Sequence, residues 1–306
     1  MDYVFVIAGL IGLFFGGEAL VRGSVGIARR MAVPPLLIGL TVVGFGTSTP
    51  ELLVSVDAAL RGVPDIAVGN IIGSNIANIL LIVGVSALVW PIRISGATLR
   101  RDTGVMMVAT LVLIPVLALG EIARLSGLAL FAGLVMYLSW AYLRPGEAEA
   151  ASETDAPPPS NLVSLLWVIA GLIALMAGAR MLVDGAVAIA RGYGVSEAFI
   201  GLTIVAIGTS LPELATSLIA ALRRQSEIAI GNIIGSNIFN ILGILGVTAM
   251  VTPIPVASRF LSFDLPLLIA ASLVLTGLLL TRPTIGRGVG AVMLASYLGY
   301  VWFAQG

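Results

Sequence analysis

Residues 39–51 read GLTVVGFGTSTPE, and residues 201–213 read GLTIVAIGTSLPE. Residues 69–80 read GNIIGSNIANIL, and residues 231–242 read GNIIGSNIFNIL, identical at 11 of 12 positions. Both matches lie at the same offset of 162 residues. Weaker matches keep that register: Gly23 with Gly185, Ala28 with Ala190, Arg29 with Arg191, Asp102 with Asp264. A chain rich in Leu, Ile and Gly resembles itself in composition, but not in the register of its Asn, Ser, Thr, Pro and Glu. The two halves are therefore an internal repeat.

The surrounding chain sets the solvent. Of 306 residues, 58% are hydrophobic and 10% charged, where a soluble domain carries roughly 25% charged. So much apolar surface needs a bilayer. Ten stretches are long and apolar enough for spans, near 3–28, 33–60, 66–90, 104–120, 125–143, 161–190, 195–222, 227–250, 264–281 and 285–303. No basic segment precedes the first, so it reads as a span and not as a cleavable signal. One polar break, RPGEAEAASETDAPPPS at 144–160, is acidic and Pro-rich and reads as a linker. The expected fold is an all-α membrane protein: a five-helix repeat over 1–143, the linker, and a second five-helix repeat over 161–306. Five spans per half is odd, so the second half enters from the opposite side, and the repeats are inverted. Ten Arg residues fall in loops on one side (29, 30, 93, 100, 101, 144, 223, 224, 282, 287) and four on the other (61, 124, 191, 259). The Arg-rich side is expected to be cytoplasmic, with both termini outside. Trp90, Trp140, Tyr142, Tyr193 and Trp302 fall near span ends and read as interfacial anchors.

Composition also excludes chemistries. There is no His and no Cys, and all 16 bases are Arg. That removes imidazole and thiolate metal sites, His-based triads and cysteine nucleophiles. A net charge of zero leaves no footprint for nucleic acid. What remains is carboxylate, amide, hydroxyl and backbone oxygen, the ligand set of hard cations.

Those oxygens gather in the repeats. Span 2 holds Gly44, Gly46, Thr47, Ser48, Thr49, Pro50 and Glu51; span 7 holds Gly208, Thr209, Ser210, Pro212 and Glu213. A carboxylate at mid-span costs at least about 2.5–3.5 kcal/mol on insertion scales, so two at equivalent positions imply a use. The preceding Gly and Pro predict broken helices 2 and 7, with carbonyls freed at membrane depth. In spans 3 and 8, Ser74 and Asn78, and Ser236 and Asn240, stand four apart and are expected to share a face lining the cavity. Asn70, Asn75, Asn232 and Asn237 are expected in interhelical or backbone hydrogen bonds. About a pseudo-two-fold axis Glu51 and Glu213 meet, and their mutual repulsion is relieved by cations. With Thr47, Ser48, Thr209 and Ser210 around them, the oxygens fill the six to eight positions Ca2+ prefers. Na+ or protons in the same cage exclude Ca2+, which under alternating access gives antiport. A channel would need a continuous pore, and an enzyme a nucleophile aligned with a base; neither pattern is present. Of the other charges, Glu18 with Arg22, and Arg180 with Asp184, read as i,i+4 pairs within a helix. Asp65, Glu227, Asp102 and Asp264 read as acids at helix N-termini, and Asp57 as interfacial.

GTSTPE with GSNIAN, and GTSLPE with GSNIFN, resemble the paired α-repeats of the sodium/calcium exchangers of the cation/calcium antiporter superfamily. The resemblance covers nearly the whole chain. It implies exchange of cytoplasmic Ca2+ for external Na+ across a plasma (inner) membrane, with H+ or K+ as alternative counter-ions, no cofactor, and a functional monomer. It also implies sliding of spans 1 and 6. Carried over by motif, Glu51 and Glu213 are central ligands. Thr47, Ser48, Thr209, Ser210, Ser74 and Ser236 surround them, with carbonyls near Gly44 and Ala206. There is one departure: related exchangers often carry Asp where this chain has Asn240, opposite Asn78. The site then has two carboxylates, not three.

Overall fold

The computed structural model describes residues 1–31, 33–93, 97–144, 160–194 and 206–304. The expected linker and residues 201–205 of the second repeat lie largely or wholly outside them. In chain order the helices are α1 (Asp2–Met31), α2 (Pro35–Thr47), α3 (Thr49–Leu60), α4 (Pro64–Val89), α5 (Ala97–Ala118) and α6 (Arg124–Leu143). The second half supplies α7 (Asn161–Gly192), α8 (Ala206–Gly208), α9 (Leu211–Leu222), α10 (Ser226–Val251), α11 (Phe260–Thr281) and α12 (Arg287–Ala304). Among the described residues seven helices are long and apolar enough to cross a membrane, and the bent pair α2–α3 makes an eighth candidate.

Four two-residue strands join the halves: β1 (Ile92–Arg93), β2 (Glu121–Ile122), β3 (Ile254–Pro255) and β4 (Thr284–Ile285). β1 pairs antiparallel with β4, Ile92 opposite Ile285; β2 pairs with β3, Ile122 opposite Ile254. Each pair takes one strand from each half, and all four Ile side chains are buried.

Burial sorts the helices into layers. α4 and α10 have 78% and 94% of their apolar windows buried, whereas α1, α5, α6, α7 and α11 have 28–44%. The first two therefore form the centre, and the others leave an apolar face for lipid. α1 and α7 run antiparallel along each other. Gly9, Gly16 and Gly23 face Gly178, Gly171 and Ser164, so the backbones close up at every seventh residue.

The break in α2–α3 falls where expected. Ser48, at φ −83° and ψ 8°, separates two segments bent by 43°. Its repeat mate Ser210 takes nearly the same angles, φ −85° and ψ 6°. The following Pro50 and Pro212 have no N–H, so the carbonyls of Gly46 and Gly208 lose their helical donors. α4 and α10 each contain a π segment, Ala77–Ile82 and Phe239–Ile244, which carry Asn78 and Asn240. Such turns concentrate at functional sites.

Two charge expectations need correction. Glu18 is bound not by Arg22, one turn away, but by Arg223 of α9, at 2.8 Å from Nε to Oε2. Arg22 stacks over Trp167 of α7 instead, at 5.3 Å. Asp102 and Asp264 do not sit at helix N-termini. α5 begins five residues before Asp102, and a π turn from Phe260 carries α11 past Asp264. Both are buried within their helices, Asp102 against Arg101 at 2.7 Å and Asp264 taking the Tyr300 hydroxyl at 3.0 Å. Arg180–Asp184 and the first-turn acids Asp65 and Glu227 stand as read. Asp57 pairs with Arg61 in the exposed last turn of α3.

Candidate cation site

S-x-x-E before an apolar run is the sequence of a helix capping box, in which the Ser and Glu side chains bind the backbone of their own helix. Ser48-Thr-Pro-Glu51 opens α3 and Ser210-Leu-Pro-Glu213 opens α9, each with Glu in the first turn. Neither serine caps its own helix. The Ser48 hydroxyl donates across the repeat to Oε1 of Glu213 at 2.9 Å, and the Ser210 hydroxyl to Oε1 of Glu51 at 3.4 Å. The two boxes are thus exchanged between the halves, and the carboxylates bracket one point. Each also lies at the positive end of a helix dipole, which favours its charge.

The amides behind them cross in the same way. Asn232 of α10 takes the Thr47 hydroxyl at 3.1 Å and donates to the Glu213 carbonyl at 3.3 Å and to Ser217 at 2.8 Å. Asn70 of α4 takes the Thr209 hydroxyl at 3.5 Å and donates to the Glu51 carbonyl at 3.1 Å and to Ser55 at 2.9 Å. Deeper in, the Asn78 amide donates to Asn237 and the Asn240 amide to Asn75, both at 3.2 Å. All of these groups are buried or half-buried.

Four oxygens remain. Oε2 of Glu51, Oε2 of Glu213, Oδ1 of Asn78 and Oδ1 of Asn240 are buried without a hydrogen-bond partner among the described residues. A buried polar atom without a partner normally costs about 1–3 kcal/mol, more when charged. These four acceptors stand in symmetric positions and none receives a protein hydrogen bond among the described residues; beside them the Asn75 Nδ2, a donor, is also buried without a partner. The π segment of Asn78 packs against α9, which carries Glu213, and that of Asn240 against α3, which carries Glu51. Among the described residues the ion pairs use other acids, so no Arg neutralises Glu51 or Glu213.

The expected residues take different places. Glu51, Glu213, Ser48 and Ser210 meet directly, and Ser74 joins them through Ser210 at 3.4 Å. Asn78 and Asn240 reach the cluster as free oxygens. Ser236 turns to the Gly44 carbonyl at 3.3 Å. That carbonyl also takes the Ser48 N–H at 3.2 Å, so it lines the break without being freed by it. The Thr47 hydroxyl is within reach of the Val43 carbonyl and of Asn232, and Thr209 faces Asn70, so these two brace the break. Ala206 opens α8. Asn70, Asn75, Asn232 and Asn237 make the interhelical and backbone hydrogen bonds expected of them; the sequence reading missed Ser55 and Ser217, and that the partners of Asn75 and Asn237 are Asn240 and Asn78. Each of these recurs at the 162-residue offset, the signal that could have found them.

Comparison with known proteins identifies the family. A family model described as sodium/calcium exchanger protein covers residues 1–143 and 163–305. The putative antiporter CaxA of Alkalimonas amylolytica is 40% identical over 97% of this chain and 96% of its own. The sodium/calcium exchanger MaX1 of Methanosarcina acetivorans is 31% identical, covering 98% and 97%. A solved structure of the sodium-calcium exchanger NCX_Mj, soaked with Na+ and Sr2+, superposes with a TM-score of 0.85 at 36% identity, over 98% of this chain and 97% of that one. The chain belongs to the sodium/calcium exchanger family.

Proposed function

We propose that this chain is a secondary active antiporter that exchanges Ca2+ for Na+ across the plasma (inner) membrane by alternating access. In this reading ten spans form two inverted five-helix halves, 1–143 and 161–306. Both termini lie outside, the 144–160 linker is cytoplasmic, and a monomer is sufficient. The strand pairs support the span count. Paired strands share a membrane face. Counting the bent pair α2–α3 as one span and the chain through α9 as another puts three spans before β1 and nine before β4, both odd. It puts four before β2 and eight before β3, both even. The seven long helices alone give two before β1 and seven before β4, which would place partners on opposite faces.

The observation that carries the reading is the exchanged pair of boxes. Two carboxylates from opposite halves, each held by the other half's serine, and the amides of Asn78 and Asn240 leave four unfilled acceptor oxygens in a buried centre. Ca2+ takes six to eight oxygens. Glu51, Glu213, Asn78, Asn240, Ser48 and Ser210 supply six residues' worth, and the carbonyls at the breaks add to them. Asn75 and Asn237 position the amides by holding their N–H groups away from the centre. Two negative charges match one Ca2+, and Na+ ions on the same oxygens exclude it. Because the ligands come from both halves, movement of one half against the other changes the side from which they are reached.

Proteoliposomes loaded with labelled Ca2+ test this. Efflux should follow an inward Na+ gradient. Efflux that ignored Na+ and followed pH or K+ would move the assignment to a Ca2+/H+ or K+-linked antiporter of the same fold. Asn240 in place of the family's Asp makes those arms necessary.

A further inference from the structure

The two ends of the molecule differ in a way the repeat does not require. At the Arg-rich end α1 packs along α9, with Gly17 against Ile219 and Ala215. Glu18 there forms a two-pronged pair with Arg223, Nε to Oε2 at 2.8 Å and Nη2 to Oε1 at 2.5 Å. The mirror contact, α7 along α3 at the other end, is absent among the described residues beyond marginal approach. The mirror residues of Glu18 and Arg223 are Arg180 and Arg61. Their side chains are 85% and 73% exposed, against 27% for Glu18, and each is neutralised within its own helix, by Asp184 at 3.8 Å and Asp57 at 2.8 Å.

Alternating access moves one half of an inverted repeat against the other around the fixed site, and the symmetry of the repeat gives a second access state in which the two halves have exchanged conformations. That exchange would lay α7 on α3 as α1 now lies on α9. It would also bring Arg180 towards Arg61, base against base. An ion pair that closes one end would have no counterpart at the other. We propose that Glu18–Arg223 is a one-ended latch: it holds the Arg-rich end closed and biases the alternating-access equilibrium towards the state described here. The inference rests on the alternating-access reading above, but needs neither the identity of the ions nor the side of the membrane. The Arg22 contact with Trp167 ties α1 to α7, so releasing Glu18 frees the two long helices as one body.

The chain has no cysteine, so a spin-label pair at Met31→Cys and Leu143→Cys reports the distance from the end of α1 to the core at the Arg-rich end. Both positions are exposed and outside the site. Pulsed distance measurements would compare parent, Glu18→Gln, Glu18→Arg, the swap Glu18→Arg with Arg223→Glu, and Arg180→Glu. A partly exposed pair of this kind sets a population ratio to about two- to fivefold. Glu18→Gln should therefore raise the separated population by about two- to fivefold, Glu18→Arg by at least as much, and the swap should restore the parent distribution. Arg180→Glu gives Arg61 an acid to meet when its end closes, and should also raise the separated population at the Arg-rich end. Distributions unchanged in Glu18→Gln and Glu18→Arg, or a folded swap that fails to restore the parent, would overturn the latch. Ca2+ flux is read separately on the same variants. Shifted distances without Na+-driven Ca2+ exchange would sink the ion assignment and leave the latch standing.

Discussion

Gly235→Ala asks whether the site depends on how closely the two halves pack. An ideal Cβ on Gly235 would stand 2.3 Å from the Leu40 carbonyl oxygen and 2.6 Å from the Leu40 Cα. Both are backbone atoms of a helix, so no side chain can swing aside. Restoring ordinary contact at 3.4 Å needs about 1 Å of separation between α10 and α2, an overpacking strain of about 1–3 kcal/mol. The same shift stretches two bonds that cross that interface, Ser236 to the Gly44 carbonyl at 3.3 Å and Thr47 to Asn232 at 3.1 Å. Both set the break from which Glu51 projects. A misplacement of that size in a positioned site costs on the order of a hundredfold in rate. The variant is purified in detergent, and the fraction remaining monodisperse after stepwise heating is compared with parent and with Gly277→Ala. At Gly277 a Cβ meets no described atom within 4 Å, and the same substitution gains about 0.5–1 kcal/mol in a helix interior. Gly235→Ala should melt below both and exchange Ca2+ far more slowly. A melting curve equal to that of Gly277→Ala, with normal flux, would refute the close-approach argument.

Glu51→Gln and Glu213→Gln should each abolish Ca2+ exchange while keeping a monodisperse elution profile; near-normal exchange in either would remove its role as central ligand. Asn237→Leu leaves the Asn78 amide without its acceptor, and losing one hydrogen bond of about 1 kcal/mol should raise the half-saturating Ca2+ concentration roughly fivefold. An unchanged value would mean that Asn237 does not position Asn78. Asn240→Asp adds a third carboxylate to the site, and more ligand charge should tighten Ca2+ binding by about tenfold or more, read by calorimetry; equal affinity would place residue 240 outside the coordination shell. Thr47→Val removes the hydroxyl facing Asn232 and should lower stability by about 1 kcal/mol in the same heating assay.

Much of the site was legible because a bilayer punishes polar groups. Glu51 and Glu213 stand out in apolar spans, and Pro50 and Pro212 mark where their helices must bend. The 162-residue register then doubled every signal. What escaped the sequence depends on contacts between distant residues. The i,i+4 rule assigned Glu18 to Arg22, yet its partner is 205 residues away, and no local pattern encodes that. Asp102 looked like a helix start because apolar residues begin just after it, while α5 in fact begins five residues earlier. The pairings of β1 with β4 and β2 with β3 are two residues long, too short for any period. The π turns that carry Asn78 and Asn240 leave no mark in the apolar pattern of spans 3 and 8.

Equilibrium Ca2+ binding to the purified chain at increasing Na+ tests most directly that one cage, built from both halves, serves both ions. One Ca2+ should bind per chain, with an apparent dissociation constant that rises steadily with Na+, and both the binding and its Na+ dependence should vanish in Glu51→Gln and in Glu213→Gln. A Ca2+ isotherm indifferent to Na+, or one that survives loss of either carboxylate, would contradict the account.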